Sequence, residues 1–385
     1  MTEKLYELDS HLFRFCARVL GCEPAGEGFA VELDRTAFFP EGGGQAADTG
    51  LLGAAQVRDV QEQDGRILHY VNLKLEPGTE LEGVIDAEQR LRRMQNHSGE
   101  HILSGVTHRL YGYDNVGFHM GDEGMTIDFS GELDEEQLAR IETRANEIVR
   151  EDLPIRAWVP TAEELALLNY RSKKELSGAV RLVEIKGVDL CACCAPHVLR
   201  TGEVGMIKVL AAERHRGGMR LTVICGMDAL EDYRRRMESA SAVSRALSVP
   251  REKIAEGVER VLNEQARQKL RADALETVLA QRTAKRVAET AGSVCLFEPL
   301  LGENALRELV NALTPNCGLA AAFSGSDEEG YRYVIGSRTL DLRAISRELN
   351  ARISGRGGGR PEMIQGSAAA SEAEIRRAIA EIKQD

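Results

Sequence analysis

The chain has 385 residues, 43% hydrophobic and 29% charged, with a formal net charge of −12. That length implies two or three domains with room for a large core, and the composition is that of an ordinary soluble globular protein. The acidic balance argues against a generic nucleic-acid binder, whose phosphate contacts need Lys and Arg, and no apolar run approaches membrane-spanning length.

The N-terminus, Met1-Thr2-Glu3-Lys4-Leu5, carries charge and lacks a signal-peptide core, so a cytoplasmic location is expected. The eight cysteines include a tight trio at 191, 193 and 194 and are otherwise scattered, which argues for reduced thiols rather than a disulfide framework. Residues 1–85 read as β-rich. Phe29, Val31 and Leu33 alternate with small or polar residues, as a half-buried strand requires. Residues 56–60 and 67–71 repeat the pattern more weakly, and Glu76-Pro77-Gly78 marks a turn. Between these strands, residues 36–45 run from Thr36 to Gln45 through Gly42, Gly43 and Gly44. Three consecutive glycines fit a flexible hairpin loop, and they also let another group approach the backbone. In the second case Thr36 and Gln45 offer a hydroxyl and an amide to a small polar ligand.

From about residue 85 to 226, helix and strand patterns alternate. A charged amphipathic run over 86–94 leads into Asn96-His97-Ser98-Gly99-Glu100-His101. On a helix, His97 and His101 share one face and supply half of a tetrahedral metal site. Two histidines at this spacing also arise by chance, and a plain surface or core histidine is the default. A second pair changes the weighing: Cys191-Ala192-Cys193-Cys194-Ala195-Pro196-His197 sets Cys193 four residues from His197, on a turn that Pro196 keeps out of a helix. Three imidazoles and one thiolate suit zinc. Spacing favours Cys193, with Cys191 and Cys194 as alternatives. Glu100 is either a general base or a helix-surface carboxylate without a catalytic role. The same stretch also fits H-x-x-E-H, a zinc metallopeptidase pattern with Glu100 as base. Such an enzyme takes a carboxylate as third ligand and has no use for Cys193 and His197.

Residues 134–150 form a helix with Leu138, Ile141, Ala145 and Ile148 on one side, and 180–185 read as a strand leading to the cysteine turn. From residue 228 to about 290, aromatics and glycines almost vanish. Pro250 separates two helices, the second carrying a heptad-like stripe of Ile254, Val258, Val261, Ala272, Leu275 and Leu279 that Gln265 and Gln268 interrupt. The pattern describes a long helical arm able to pair with another copy, without supporting a strict coiled coil. Residues 293–385 again mix strands and helices. Here Gly355-Arg356-Gly357-Gly358-Gly359-Arg360-Pro361 reads either as a linker or as a loop whose backbone N–H groups cradle phosphate between two arginines. Between 332 and 360 seven arginines face two acids, which is a solvated helix face or a local basic surface on an acidic protein.

Residues 36–45, the His97/His101 pair, the Cys193/His197 pair followed by Thr201-Gly202-Glu203, and residues 357–366 together resemble the alanyl-tRNA editing proteins. They look most like the long AlaX-type trans-editing factors, which match the editing and C-terminal regions of alanyl-tRNA synthetase. The family often has Cys-Gly-Gly-Thr-His where this chain has Cys193-Cys194-Ala195-Pro196-His197, so the ligand places persist and the small residues between them do not. The resemblance implies zinc on His97, His101, Cys193 and His197. It implies hydrolysis of tRNA(Ala) mischarged with serine or glycine, tRNA contact through Arg356, Gly357, Gly358, Gly359 and Arg360, and dimerisation through the arm. Thr36 and Gln45 would then read the serine hydroxyl or position the ester. No aminoacylation domain precedes the editing part, so no tRNA charging is expected. The implied architecture is α+β: a β-rich, barrel-like N-terminal domain (1–85), an α+β zinc-binding editing domain (86–227), a helical arm (228–292) and a C-terminal glycine-rich α/β domain (293–385).

Overall fold

The computed structural model describes residues 2–121, 124–172, 180–287 and 290–382. Residues 288–289 of the expected arm and 383–385 of the expected C-terminal domain lie outside them. Two compact units divide the chain, Met1–Ser239 and Ala240–Asp385.

In the first unit, strands β1 (Arg14–Ala25), β2 (Gly28–Leu33), β3 (Gly50–Leu52), β4 (Ala55–Gln63), β5 (Arg66–Val71) and β6 (Glu80–Ile85) pair in the cyclic order β1-β2-β5-β4-β3-β6. Alternating residues turn inward. Val31 and Leu33 of β2, Val57 and Val60 of β4, and Ile67 and Val71 of β5 pack around Phe38 and Phe39. Helix α1 (Ala87–Tyr111) follows. Asp86 caps its start by accepting the Gln89 N–H, and Gly112, in the left-handed region at φ 72°, ends it. Every residue of α1 from 96 to 107 is buried, so this helix is the spine of the unit. Around it lie β7 (Asn115–Gly121), β8 (Gly124–Phe129), helix α2 (Glu135–Glu151), β9 (Ile155–Trp158), β10 (Leu182–Ile185), β11 (Asp189–Ala192), β12 (Ile207–His215) and β13 (Gly218–Cys225). They form two antiparallel sheets, β12-β13-β8-β7 and β9-β10-β11.

Helix α3 (Met227–Leu247) crosses the division between the units. The second unit continues with α4 (Ile254–Arg286), β14 (Thr290–Phe297), α5 (Glu303–Leu313), β15 (Cys317–Ser326), β16 (Gly330–Gly336), α6 (Leu342–Arg352), β17 (Arg356–Arg360), β18 (Met363–Ala368) and α7 (Glu372–Ala380). Its sheet has the order β14-β15-β16-β18-β17. Both faces are covered. Leu319, Ala321 and Phe323 of β15 meet α6 and α7, while Ala320 and Ala322 meet α5.

These findings correct the expected fold class. The N-terminal strands are not a barrel-like domain of their own: they share one unit with α1 and the later sheets, and Ala195 of the cysteine turn lies in their core. Nor is the C-terminal part α/β. Only β14–β15 is parallel; the other three pairings are antiparallel. Helices on both faces gave the sequence its α/β look, but the sheet has one parallel crossover, through α5, where that class repeats them. Among the described residues no helix is long and apolar enough to cross a membrane.

Candidate metal centre

His97 and His101 stand one turn apart on α1, ring centroids 5.6 Å apart and both buried. The turn after β11 brings the second pair to them. Its position follows from the β10–β11 hairpin, in which Val183 pairs with Cys191, and from Arg181, whose guanidinium donates to the carbonyls of Cys193 and Ala195 at 3.0 Å each. Cys193 Sγ then lies 3.4 Å from His97 Nε2 and 3.4 Å from His197 Nε2. One ligand atom from each of His97, His101, Cys193 and His197 falls within 4.8 Å of the others, so the group can hold a metal ion. His101 Nε2 is buried with no hydrogen-bond partner among the described residues, a cost that a cation would remove.

Each imidazole is oriented from behind. His97 Nδ1 bonds to Gln45 Oε1 at 2.9 Å, His197 Nδ1 to Ser98 Oγ at 3.1 Å, and His101 Nδ1 donates to Asp189 Oδ2 at 3.0 Å. With Nδ1 engaged in all three rings, Nε2 is the nitrogen turned to the centre. Arg171 grips Asp189 through two bonds of 2.7 and 2.8 Å. Burial alone would raise the Asp189 carboxyl; the hydrogen bonds from His101 and Arg171 outweigh it and hold the group below its ordinary value. His101, Asp189 and Cys191 also lie close enough to hold an ion, but both Asp189 oxygens already serve Arg171 and His101. Asp189 comes this near α1 because Gly105 has no side chain: a Cβ there would meet the Val188 carbonyl at 2.5 Å. Burial pushes the Cys193 thiol up to about 12, so the thiolate that a metal needs has to be stabilised by the metal itself. Cys194 is exposed, and Cys191 is buried on β11 with its thiol toward the Ala192 carbonyl.

The triple-glycine loop reaches the same place. Its base is pinned by Asp48, which accepts the Phe39 N–H and forms a wholly buried ion pair with Arg90 of α1. Gly44, at φ 85°, passes so close to Phe118 that a Cβ would meet the ring at 2.8 Å. Phe118 in turn lies 5.0 Å from the His97 ring. Gln45 Oε1 orients His97, while Gln45 Nε2 is buried without a partner among the described residues. Thr36 sits elsewhere. Its hydroxyl bonds to His69 Nε2 at 2.8 Å and accepts the Phe38 N–H at 3.1 Å, inside the strand core. Glu100 is not a helix-surface carboxylate: it is wholly buried, with Oε2 3.8 Å from His101 Nε2.

In the second unit, Arg356, Gly357, Gly358, Gly359 and Arg360 form β17, an exposed edge strand, where the sequence suggests a phosphate-cradling loop. The strand pairs with β18 so closely that only glycine fits at 357 and 359, where a Cβ would meet the β18 backbone within 2.4 Å. Ser98 and Asp189 escape sequence reasoning. Their signal is that a ligand histidine needs an acceptor at Nδ1: Ser98 sits inside the histidine pair, and Asp189 stands two residues before Cys191.

Residues 18–89 match a model of tRNA synthetases class II (A). Residues 180–221 match the threonyl and alanyl tRNA synthetase second additional domain, and 290–385 match the DHHA1 domain. An alanine–tRNA ligase of Pyrococcus abyssi is 31% identical over 388 residues, and one of Archaeoglobus fulgidus is 32% identical over 394 residues. Each alignment covers 95% of this chain and 42% of the ligase. The alanyl-tRNA editing protein AlaX-L of Pyrococcus horikoshii is 35% identical over 240 residues, 60% of this chain and 59% of that protein. The chain therefore spans less than half the length of those ligases. At the level of the family, the likeness to an AlaX-type editing protein and to the matching parts of alanine–tRNA ligases holds, and the second-additional-domain match includes Cys193 and His197 of the metal centre.

Proposed function

We propose that this chain is a hydrolase that edits mischarged tRNA, cleaving the ester of seryl-tRNA(Ala) and, secondarily, glycyl-tRNA(Ala) at a zinc centre. The observation that carries the reading is the convergence of His97, His101, Cys193 and His197 within 4.8 Å, with every histidine oriented through Nδ1. Three imidazoles and a thiol are a borderline-soft set that fits zinc, and the orphaned His101 Nε2 fits it too. Bound there, zinc would supply a positive charge that anchors the substrate or favours ionisation of a water.

The chain's own residues do the remainder. A pocket made for alanine rejects an analogue that merely adds a hydroxyl only weakly, so a second site has to hydrolyse the error. A site that hydrogen-bonds the serine hydroxyl in turn spares the alanyl ester by a factor on the order of 10⁴. Gln45 Nε2, a buried donor with no partner among the described residues, is suited to receive that hydroxyl or the ester carbonyl. Thr36, held by His69 and the Phe38 amide, sets the start of the same loop. Glu100, buried next to His101, serves as general base. In the second unit, β17 with Arg356 and Arg360 contacts the tRNA backbone, and the arm, where Leu270 and Leu275 are each 70% exposed, pairs two copies. The metallopeptidase alternative has no role for Cys193 and His197, and their approach to the histidine pair speaks against it.

Purified zinc-loaded chain is expected to deacylate seryl-tRNA(Ala) much faster than alanyl-tRNA(Ala) and to leave casein intact. Binding of tRNA without hydrolysis would reduce the centre to a structural one, and casein cleavage would favour the peptidase. Thr36→Val, which removes the hydroxyl that bonds His69 and the Phe38 amide at the start of the loop carrying Gln45, is expected to raise hydrolysis of alanyl-tRNA(Ala); unchanged discrimination would show that Thr36 has no part in sparing alanine.

A further inference from the structure

Glu100 is wholly buried, where a carboxylate is costly unless hydrogen bonds or a paired charge compensate it. Two donors meet on one of its oxygens. Ser104 Oγ donates to Glu100 Oε1 at 2.6 Å, and Asn115 Nδ2 donates to the same oxygen at 2.5 Å. Asn115 Nδ2 also reaches Ser104 Oγ at 3.1 Å, so the three side chains close a ring of bonds. The direction of the amide is fixed independently. The Gly117 N–H donates to Asn115 Oδ1 at 3.0 Å, which leaves the NH₂ end for the carboxylate.

Asn115 reaches α1 from another element because of a local irregularity. Along β7–β8, Gly117 pairs with Asp128 and Asn115 with Phe129, with a register shift between them. Such a bulge re-aims a side chain. Asn115 is 7% exposed, whereas its neighbour Val116 is 65% exposed. With both donors on Oε1, the other carboxylate oxygen is the one that lies 3.8 Å from His101 Nε2, the atom through which His101 joins the metal-holding group.

We infer that Asn115 and Ser104 are positioning residues that hold Glu100 with Oε2 toward the reacting ester. The inference rests on the hydrolase reading above. Water gives its proton to Glu100 Oε2 as its oxygen bonds to the ester carbonyl carbon. The bond from that carbon to the ribose oxygen then breaks, and the ribose oxygen takes the proton back from Glu100. The products are the free amino acid and uncharged tRNA, with no oxidant or reductant consumed. A carboxylate free to rotate would meet the water in the wrong place, and small misplacements of a catalytic group are costly.

The test compares Asn115→Leu and Ser104→Ala in the full zinc-loaded chain, each alone and combined with Glu100→Gln. Steady-state deacylation of seryl-tRNA(Ala) gives kcat and KM, and elemental assay gives zinc content. Asn115→Leu alone is expected to lower kcat about tenfold or more at unchanged KM and zinc content, and Ser104→Ala to do the same more weakly. Combined with Glu100→Gln, either change is expected to add about twofold or less. The readout free of activity is the Asn115 side-chain amide. Its protons should resonate downfield and exchange slowly in the wild type and lose both properties in Glu100→Ala. Equal losses with and without Glu100→Gln, or an amide indifferent to Glu100→Ala, overturn the positioning role while leaving the hydrolase reading intact. If Asn115→Leu fails to fold, the Ser104→Ala cycle decides by the same criterion. A wild-type chain that hydrolyses no aminoacyl-tRNA overturns the hydrolase reading and the base role together.

Discussion

Thr36 and His69 are locked to each other. The Thr36 hydroxyl faces His69 Nε2, and His69 Nδ1 donates to the Val31 carbonyl at 3.0 Å. Burial drives the His69 pKa down to about 4, against a lesser opposing effect of the Val31 hydrogen bond. The ring is therefore neutral in the folded chain, while in the unfolded chain it titrates near 6.5. The sign follows. A depressed histidine pKa contributes stability above the unfolded value and loses it as pH falls through that value toward the folded one. Between about pH 7 and pH 5 the loss from this residue is about 2 kcal/mol. Urea midpoints of wild type and His69→Gln at the two pH values measure it, because the other titrating groups contribute to both. The wild type should lose about 2 kcal/mol more than the variant over that interval. Equal losses would show that His69 is protonated without penalty.

At the scale of elements, the loop between β2 and β3 is the piece whose conformation the centre depends on. Gly44→Ala places a Cβ at φ 85°, within 2.8 Å of the Phe118 ring and 2.9 Å of its carbonyl. The left-handed backbone costs about 1 kcal/mol, and the clash shifts the loop. Its next residue, Gln45, then loses its bond to His97 Nδ1. Loss of such an outer partner typically weakens metal binding about 10- to 100-fold. Competition with a zinc chelator should show that drop, with the urea midpoint changed far less. Unaltered zinc affinity would mean that Gln45 does not orient His97. The same elements show what the sequence discloses. The His97/His101 spacing is legible because a helix fixes which residues share a face, and Cys193/His197 because Pro196 leaves a turn in which few geometries bring the pair together. Asp189 and Asn115 are not legible. One depends on the close passage of β11 over Gly105, the other on a bulge, and both are properties of pairing between distant segments. The glycines of β17 read as loop because glycine is a poor strand former. In the structure they pair with β18, whose backbone comes close enough to leave no room for a Cβ on Gly357 or Gly359.

For the molecule as a whole, the proposed function asks an acidic chain of net charge −12 to bind a polyanion. Binding then depends on where its cations are gathered. In the second unit Arg356 and Arg360 stand at the two ends of an exposed edge strand, and Arg338 joins Arg360 and the glycine edge around a cavity of about 690 Å³. Arg307, in the same wall, is bonded to Gln365. Chemistry in the first unit and a basic edge in the second predict separable defects. Each Arg–phosphate contact removed should lower the magnitude of the log K against log salt slope by about one, so the double variant Arg356→Ala/Arg360→Ala should lose about two. Its KM for seryl-tRNA should rise, while the single-turnover rate at saturating enzyme and the zinc content stay at wild-type values, since neither residue belongs to the unit that holds the metal centre. An unchanged salt slope would move the tRNA contact to another surface. A lowered saturating rate would show instead that β17 takes part in assembling the reactive complex, beyond its part in capturing the tRNA.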